Sequence, residues 1–258
     1  MRHVLFVSWN LAGRVRVLDE QAAALLGIAP DLICLQELTP TTLPRWGALL
    51  REAGYAGVEH APGDGARARP LSVLTASREP QRRVPVAGVP WAERVLASRL
   101  VNGLEVVNVH SPTSPKPDEA KLRTHLAVHA HLARSADHPR LLSGDLNTPR
   151  REFPDGSVWT FARDRYGRIR ADRGERWEHA ELALIRGLEE YGFRDAFREL
   201  HGFASREISW GWQRWSGGYR LDHLILAGLA AGECHYEHSW RERGLSDHSA
   251  LLARLAAG

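Results

Sequence analysis

A layered α/β sandwich is the fold class this sequence predicts. Short apolar runs of β type recur from one end to the other, helical patterns lie between them, and the connections vary too much in length for a regular barrel. Residues 1–258 read as one domain, because no short-period repeat, low-complexity tract or linker interrupts them. A chain of this length buries most of its apolar surface on folding.

The first run, Val4–Trp9, follows one basic residue and is too short for the apolar stretch of a signal peptide, so it reads as the opening strand. Asp31–Gln36, Leu71–Ala76, Leu104–His110, Arg140–Ser143, Leu221–Ala227 and Ser249–Leu255 follow, rich in Val, Leu and Ile and bounded by Gly, Pro, Asn or Asp. Helices are expected over Val17–Leu26, over Pro117–Ala133 with Asp118 and Glu119 in the first turn, and over Arg176–Tyr191 with Gly192 as the stop. The polar segment Pro149–Glu175, rich in Arg, Asp and Gly, reads as a long functional loop.

Composition narrows the setting. With 43% hydrophobic and 25% charged residues the chain is of ordinary globular type, and no apolar run approaches the roughly 20 residues of a membrane helix. Cys34 and Cys234 sit inside apolar stretches as buried thiols, which suits a reducing, cytoplasmic setting. No obligate protein partner is indicated. The net charge of +3 is carried almost wholly by arginine, since Lys116 and Lys121 are the only lysines. Arginine suits bidentate phosphate contacts, but codon bias produces the same excess; the charge permits a nucleic acid partner without specifying one.

What ends each strand is more informative. Val4–Trp9 runs into Asn10, Asp31–Gln36 into Glu37, Leu104–Val109 into His110, and Leu141–Ser143 into Gly144-Asp145-Leu146-Asn147. Two later runs instead begin with polar pairs, Asp222-His223 and Asp247-His248. If the last two strands run opposite to the first four, these groups meet at one rim. Four carboxylates gathered there repel one another unless a cation sits among them, and an oxygen-rich donor set with few sulfurs suits Mg²⁺ or Mn²⁺.

Taken together, Ser8-Trp9-Asn10, Leu35-Gln36-Glu37, Val107-Asn108-Val109-His110, Ser143-Gly144-Asp145-Leu146-Asn147, Arg220-Leu221-Asp222-His223 and Ser246-Asp247-His248 resemble the endonuclease/exonuclease/phosphatase superfamily. Within it the chain is most similar to the exonuclease III-like apurinic endonucleases. Gly192–Arg198 and the aromatic stretch from Ser209-Trp210 through Trp212 and Trp215 extend the match. The resemblance implies a four-layer α-β-β-α sandwich of the DNase I-like type and a Mg²⁺- or Mn²⁺-dependent phosphodiester hydrolase. It implies Glu37 as principal metal ligand with Asn10 nearby and Asp247 at the metal or just behind it. Asp145 would orient or deprotonate the attacking water, Asn147 would hold a phosphate oxygen or the nucleophile, and His248, oriented by Asp222, would contact the phosphate.

Three positions depart from the exonuclease III-like pattern: Ala12 replaces an acid or amide, His110 a tyrosine, and Thr113 an amide. A histidine at position 110 is closer to the DNase I-like and lipid-phosphodiesterase branches. It could donate a proton or position a substrate oxygen. Two substrate classes follow. DNA is favoured by Trp212, Trp215 and Tyr219, which could form a stacking platform beside Asp222. A small or lipid-derived phosphate ester is favoured by His110 and Thr113.

Overall fold

A computed structural model of the chain describes residues 4–63, 70–212 and 217–257. Its strands are β1 (Val4–Asn10), β2 (Leu32–Leu38), β3 (Gly57–His60), β4 (Ser72–Ser77), β5 (Gln81–Val84), β6 (Val95–Leu100), β7 (Glu105–His110), β8 (Arg140–Asp145), β9 (Arg151–Glu152), β10 (Val158–Trp159), β11 (Arg194–Asp195), β12 (Trp210–Gly211), β13 (Gly218–Tyr219), β14 (Asp222–Ala227), β15 (Leu229–Glu237) and β16 (Ala250–Ala257). Its helices are α1 (Leu18–Gly27), α2 (Thr42–Glu52), α3 (Ala120–Leu132), α4 (Gly174–Ile185), α5 (Ala196–His201) and α6 (His238–Glu242).

Two six-stranded sheets result, in the orders β15-β16-β1-β2-β4-β3 and β11-β14-β8-β7-β6-β5. Alternation along each strand, with its period of two, decides the layers. In β1, Val7 and Trp9 pack outward with Leu18, Leu25, Trp46, Leu50 and Trp240 from α1, α2 and α6. Phe6 points inward with Cys34, Val106, Leu141, Leu224 and Leu251, between the sheets. On the far side, Val107, Val109 and Leu142 pack against Val128 and Leu132 of α3 and Leu184 of α4. These are the four layers, α-β-β-α.

Strand direction brings the functional groups together. β1 runs parallel to β2 and β7 parallel to β8, while β16 is antiparallel to β1 and β14 to β8. Ends of the early strands and beginnings of the late ones therefore share one rim, with Asp222 directly opposite Asp145. Below that rim the sheets are stitched by amides. Gln36 Nε2 donates to Asn108 Oδ1 (2.8 Å) and Ser8 Oγ (3.1 Å), and Asn108 Nδ2 donates to the Leu74 carbonyl (2.9 Å). All three side chains are fully buried, so their bonds hold the two sheets in one register beneath the site.

The structure corrects three expectations. Asp118 and Glu119 precede α3 rather than occupying its first turn, both with left-handed backbone (φ 58° and 52°). The third helix stops at Ile185 because Gly187 bonds back to Leu182, and only a short 3₁₀ turn, Glu189–Tyr191, continues to Gly192. The segment Pro149–Glu175 is not one open loop. It carries the β9–β10 hairpin, and buried Glu181 fastens it through Thr148 Oγ1 (2.6 Å) and the Phe161 N–H (2.9 Å). Both cysteines are buried free thiols, each pushed up to about 12, first by burial. Among the described residues no helix is long and apolar enough to cross a membrane.

Far from the rim, the side chain of Glu105 has no exposed surface and accepts from Arg99 (2.7 Å), Arg134 (2.9 Å), His131 (2.7 Å) and His138 (3.0 Å). Burial opposes its charge, but these four partners outweigh burial and hold the carboxyl below its ordinary range. Glu105→Gln is expected to destabilise the fold by about 2 kcal/mol or more, because four donors lose one charged acceptor. A urea midpoint equal to wild type would refute this.

Candidate active site

Gly144 makes the rim's central turn. Its φ is +128°, and a Cβ there would lie 2.0 Å from the Val109 carbonyl oxygen, so no other residue lets β7 and β8 come this close. Asp145 and His110 are thereby brought side by side as register partners. Glu37 sits in a β-bulge between Leu35 and Leu38 with φ 59°, and Asn147 has φ 50°. Left-handed backbone at two non-glycine residues is strain held by the surrounding fold, and it aims both side chains at the rim.

Asn10 joins the carboxylates. Its amide nitrogen donates to Glu37 Oε1 (3.1 Å) and Asp145 Oδ2 (3.0 Å), while its oxygen accepts the Ala12 N–H (2.9 Å), which fixes the amide's orientation. His110 Nε2 lies 3.3 Å from Glu37 Oε1 and 4.0 Å from Asp145 Oδ2. Arg94 Nη1 lies 3.0 Å from both ring nitrogens. Burial and the Arg94 charge push His110 down to about 4, so it is neutral at pH 7. Burial works against the Glu37 carboxylate, yet hydrogen bonds from His110 and Asn10 hold it down to about 2.

Asp145 behaves oppositely. Burial, with the nearby charges of Asp222 and Glu37, raises it to about 7 despite the Asn147 N–H that Oδ1 accepts (2.9 Å). Facing it, His248 Nε2 lies 3.8 Å from Asp145 Oδ2, and its Nδ1 donates to Asp222 Oδ2 (2.8 Å). Burial opposes the imidazolium, but Asp222 and then Asp145 outweigh it and raise His248 to about 10. The site thus holds two carboxylates of different basicity, a neutral histidine and a charged one.

These groups line a cavity of about 310 Å³. Asn147, Asp247 and Tyr219 reach its wall. Trp210 of the aromatic stretch, Phe161 and Arg173 of the segment Pro149–Glu175, and Lys121 of α3, which nothing local marks, also line it. Lys121 is buried, paired with Glu181 (2.5 Å), and donates to the Asn147 carbonyl (2.8 Å). Trp210 stacks on Tyr219 at 6.0 Å between ring centres and donates its indole N–H to Asp247 Oδ2 (3.1 Å). Trp212, 38% exposed, stands edge-on to both rings and does not line the cavity; Trp215 lies outside the described residues.

A match to the model of the endonuclease/exonuclease/phosphatase family spans residues 7–248. The chain belongs to that family. Among solved structures it is similar to an AP endonuclease from Archaeoglobus fulgidus, with TM-score 0.73, 22% identity and coverage of 97% of this chain and 98% of that one. The 3′ phosphatase NExo from Neisseria, bound to product DNA hairpin, gives 0.66 at 19% identity over 98% and 99% of the two chains. D. rerio TDP2 complexed with single strand DNA product gives 0.67 at 16% identity, covering 100% of each. At these identities the likeness establishes the fold. Comparison with curated proteins by sequence found no match.

As an endonuclease/exonuclease/phosphatase family member, the chain is a hydrolase of phosphate ester bonds. Its donor set fits a hard divalent cation. Glu37, His110 and Asp145 each offer one ligand atom, all within 4.8 Å of one another, and among the described residues Oδ1 of Asp222 and of Asp247 are buried without a hydrogen-bond partner. Asn10 enters this cluster as a donor to the carboxylates, and Asp247 accepts the Trp210 indole N–H.

Proposed function

We propose that residues 1–258 form one catalytic domain that hydrolyses phosphodiester bonds in DNA with Mg²⁺ (or Mn²⁺). The observation that carries this reading is the cavity itself: carboxylates and a charged histidine at one end, and a wall of Phe161, Tyr219 and Trp210 beside them. Such a wall fits a nucleoside next to its phosphate. The family and its DNA-bound neighbours support it.

Glu37, with Asp145, would hold the cation, which when bound neutralises phosphate charge and acidifies a nearby water. Asp145, raised to about 7, takes the proton of the attacking water. His248, kept charged by Asp222, binds a phosphate oxygen and stabilises the charge that grows there. Asn147 spends one amide hydrogen on the Ser111 carbonyl (2.7 Å) and offers the other to the phosphate. Asn10 positions Glu37 and Asp145, and Asp247 positions Trp210. Neutral His110 orients Glu37 rather than supplying a charged acid.

The deciding experiment assays Mg²⁺-dependent turnover in parallel on duplex DNA, abasic-site DNA, single-stranded DNA, inositol phosphates and a sphingomyelin-type substrate. Preference for the last two would replace DNA by a small or lipid-derived ester. Within the DNA reading, Tyr219→Ala is expected to weaken DNA binding about tenfold or more, since a stacked base contributes roughly 1–3 kcal/mol, and Trp212→Ala to weaken it less, through the Tyr219 ring it packs against. Turnover of bis(p-nitrophenyl) phosphate, which has no base, stays near wild type. Unchanged DNA affinity in both variants would count against the platform.

A further inference from the structure

Tyr219 lines two cavities. One is the site above; the other is a groove of about 270 Å³ between Pro149–Pro154 and Phe203–Ile208, reached by Arg150, Arg151 and Arg206. Its floor is rigid and internally neutralised. Buried Arg198 and Arg220 each make paired bonds of 2.7–3.0 Å to the carboxylate of Glu152, and Arg220 also reaches Asp195 (2.8 Å). The other acid of the groove, Glu207, lies 3.2 Å from His238.

The three arginines of the groove wall are different. Among the described residues none has an acidic partner. Arg151 lies over the Phe153 ring (4.7 Å), Arg150 donates to the Arg163 carbonyl (3.2 Å), and Arg206 is exposed. In an arginine-rich chain exposed guanidinium groups are common, and several nearby ones are paired: Arg163 with Glu178 (2.7 Å), Arg168 with Asp164 (3.0 Å), Arg170 with Asp172 (2.8 Å) and Arg186 with Glu189 (2.7 Å). Three guanidinium groups without an acidic partner therefore share a concave surface that meets the active site at Tyr219. Like charges gathered in a concave surface repel unless an anion joins them, and guanidinium forks match phosphate.

We propose that this groove seats the phosphate next to the scissile one on the same nucleic acid strand, held by Arg151 and Arg206 with Arg150 behind them. The strand leaves the active cavity over Tyr219 and enters the groove. The assignment rests on the DNA reading above and adds a second subsite to it, so that oligonucleotides bind better than substrates with a single phosphate.

The test is the double variant Arg151→Gln, Arg206→Gln, compared with wild type on a single-stranded oligonucleotide and on bis(p-nitrophenyl) phosphate. Both side chains are exposed, so the fold is expected to stand, and Tm checks this. KM for the oligonucleotide should rise at least about tenfold while kcat and all aryl-ester kinetics stay near wild type. The slope of log affinity against log salt should fall by about one per lost contact. Oligonucleotides carrying one neutral methylphosphonate linkage, on the 5′ or the 3′ side of the cleaved bond, locate the subsite. At one of the two positions the neutral linkage should weaken wild type and leave the variant indifferent. Equal KM and salt slope, or a variant that still senses both linkages as wild type does, would overturn the groove and leave the DNA reading intact. Wild type that turns over no DNA would overturn both.

Discussion

Asp145→Asn is expected to lower kcat at least ~100-fold, the usual cost of removing a general base. The carboxylate is buried between Asp222 and Glu37, which raises it to about 7, where a base has the best compromise between being unprotonated and being basic. Asn keeps the side chain's size and removes the basicity. The sign of the pH dependence follows from the raised value. Below about 7 Asp145 holds its proton and cannot accept another, so kcat rises with pH up to about 7 and then levels. Across that range His248, raised to about 10, keeps its charge, so no falling limb is expected from it before pH approaches 10. A divalent cation favours the ionised carboxylate, so the rising limb should move to lower pH as Mg²⁺ increases. Asp145→Asn should lose that limb. A near-normal rate, or an unchanged limb in the variant, would assign the base elsewhere.

How much of this was legible depends on whether a signal is local. Asn10, Glu37, His110, Asp145, Asp222 and His248 stand where apolar runs begin or end, and a polar group at a buried strand end is visible one strand at a time. Their convergence needed only strand direction, which the pairing of β14 with β8 and of β16 with β1 supplies. Lys121 was not legible. On a helix it resembles any solvated cation, and only the tertiary approach of Glu181 buries it. Phe161 and Arg173 belong to a polar segment held by buried Glu181 of α4, which accepts the Phe161 N–H, and by Arg173, which donates to the Phe161 carbonyl. Helix α2 escaped notice because Pro40 and Pro44 suggest a turn, although proline is tolerated in a helix's first turn. Edge strand β15 has only two buried residues, Cys234 and Tyr236, and Gly232 within it, which weakens the apolar run that marks a strand. Among the tryptophans the sequence pointed to Trp212 and Trp215 as the stacking pair. β12 ends at Gly211, so Trp212 lies beyond the strand, and among the described tryptophans Trp210 alone lines the cavity.

Glu37→Gln is expected to abolish metal-dependent turnover while the protein stays folded. The carboxylate is held down to about 2, so it is ionised at any working pH and offers a full negative charge without paying for deprotonation. Asp145, its companion in the cluster, is half protonated near neutrality, and His110 is neutral, so Glu37 carries most of the charge that a divalent cation would meet. Gln preserves the shape, and its amide oxygen can still accept from Asn10, which limits the structural cost. What it removes is charge, and hard cations depend on ligand charge for affinity. The direct readout is Mn²⁺ binding by calorimetry at pH 7, which should weaken at least about tenfold, the loss typical of an altered metal shell. The far-UV CD spectrum and Tm without metal should stay close to wild type. Raising Mg²⁺ should not restore wild-type kcat if the charge also acts on the bound phosphate, whereas full restoration would limit Glu37 to affinity. Wild-type Mn²⁺ binding together with wild-type turnover would remove Glu37 from the metal site altogether, and the cation would then have to be sought among Asp222, Asp247 and their unpartnered oxygens.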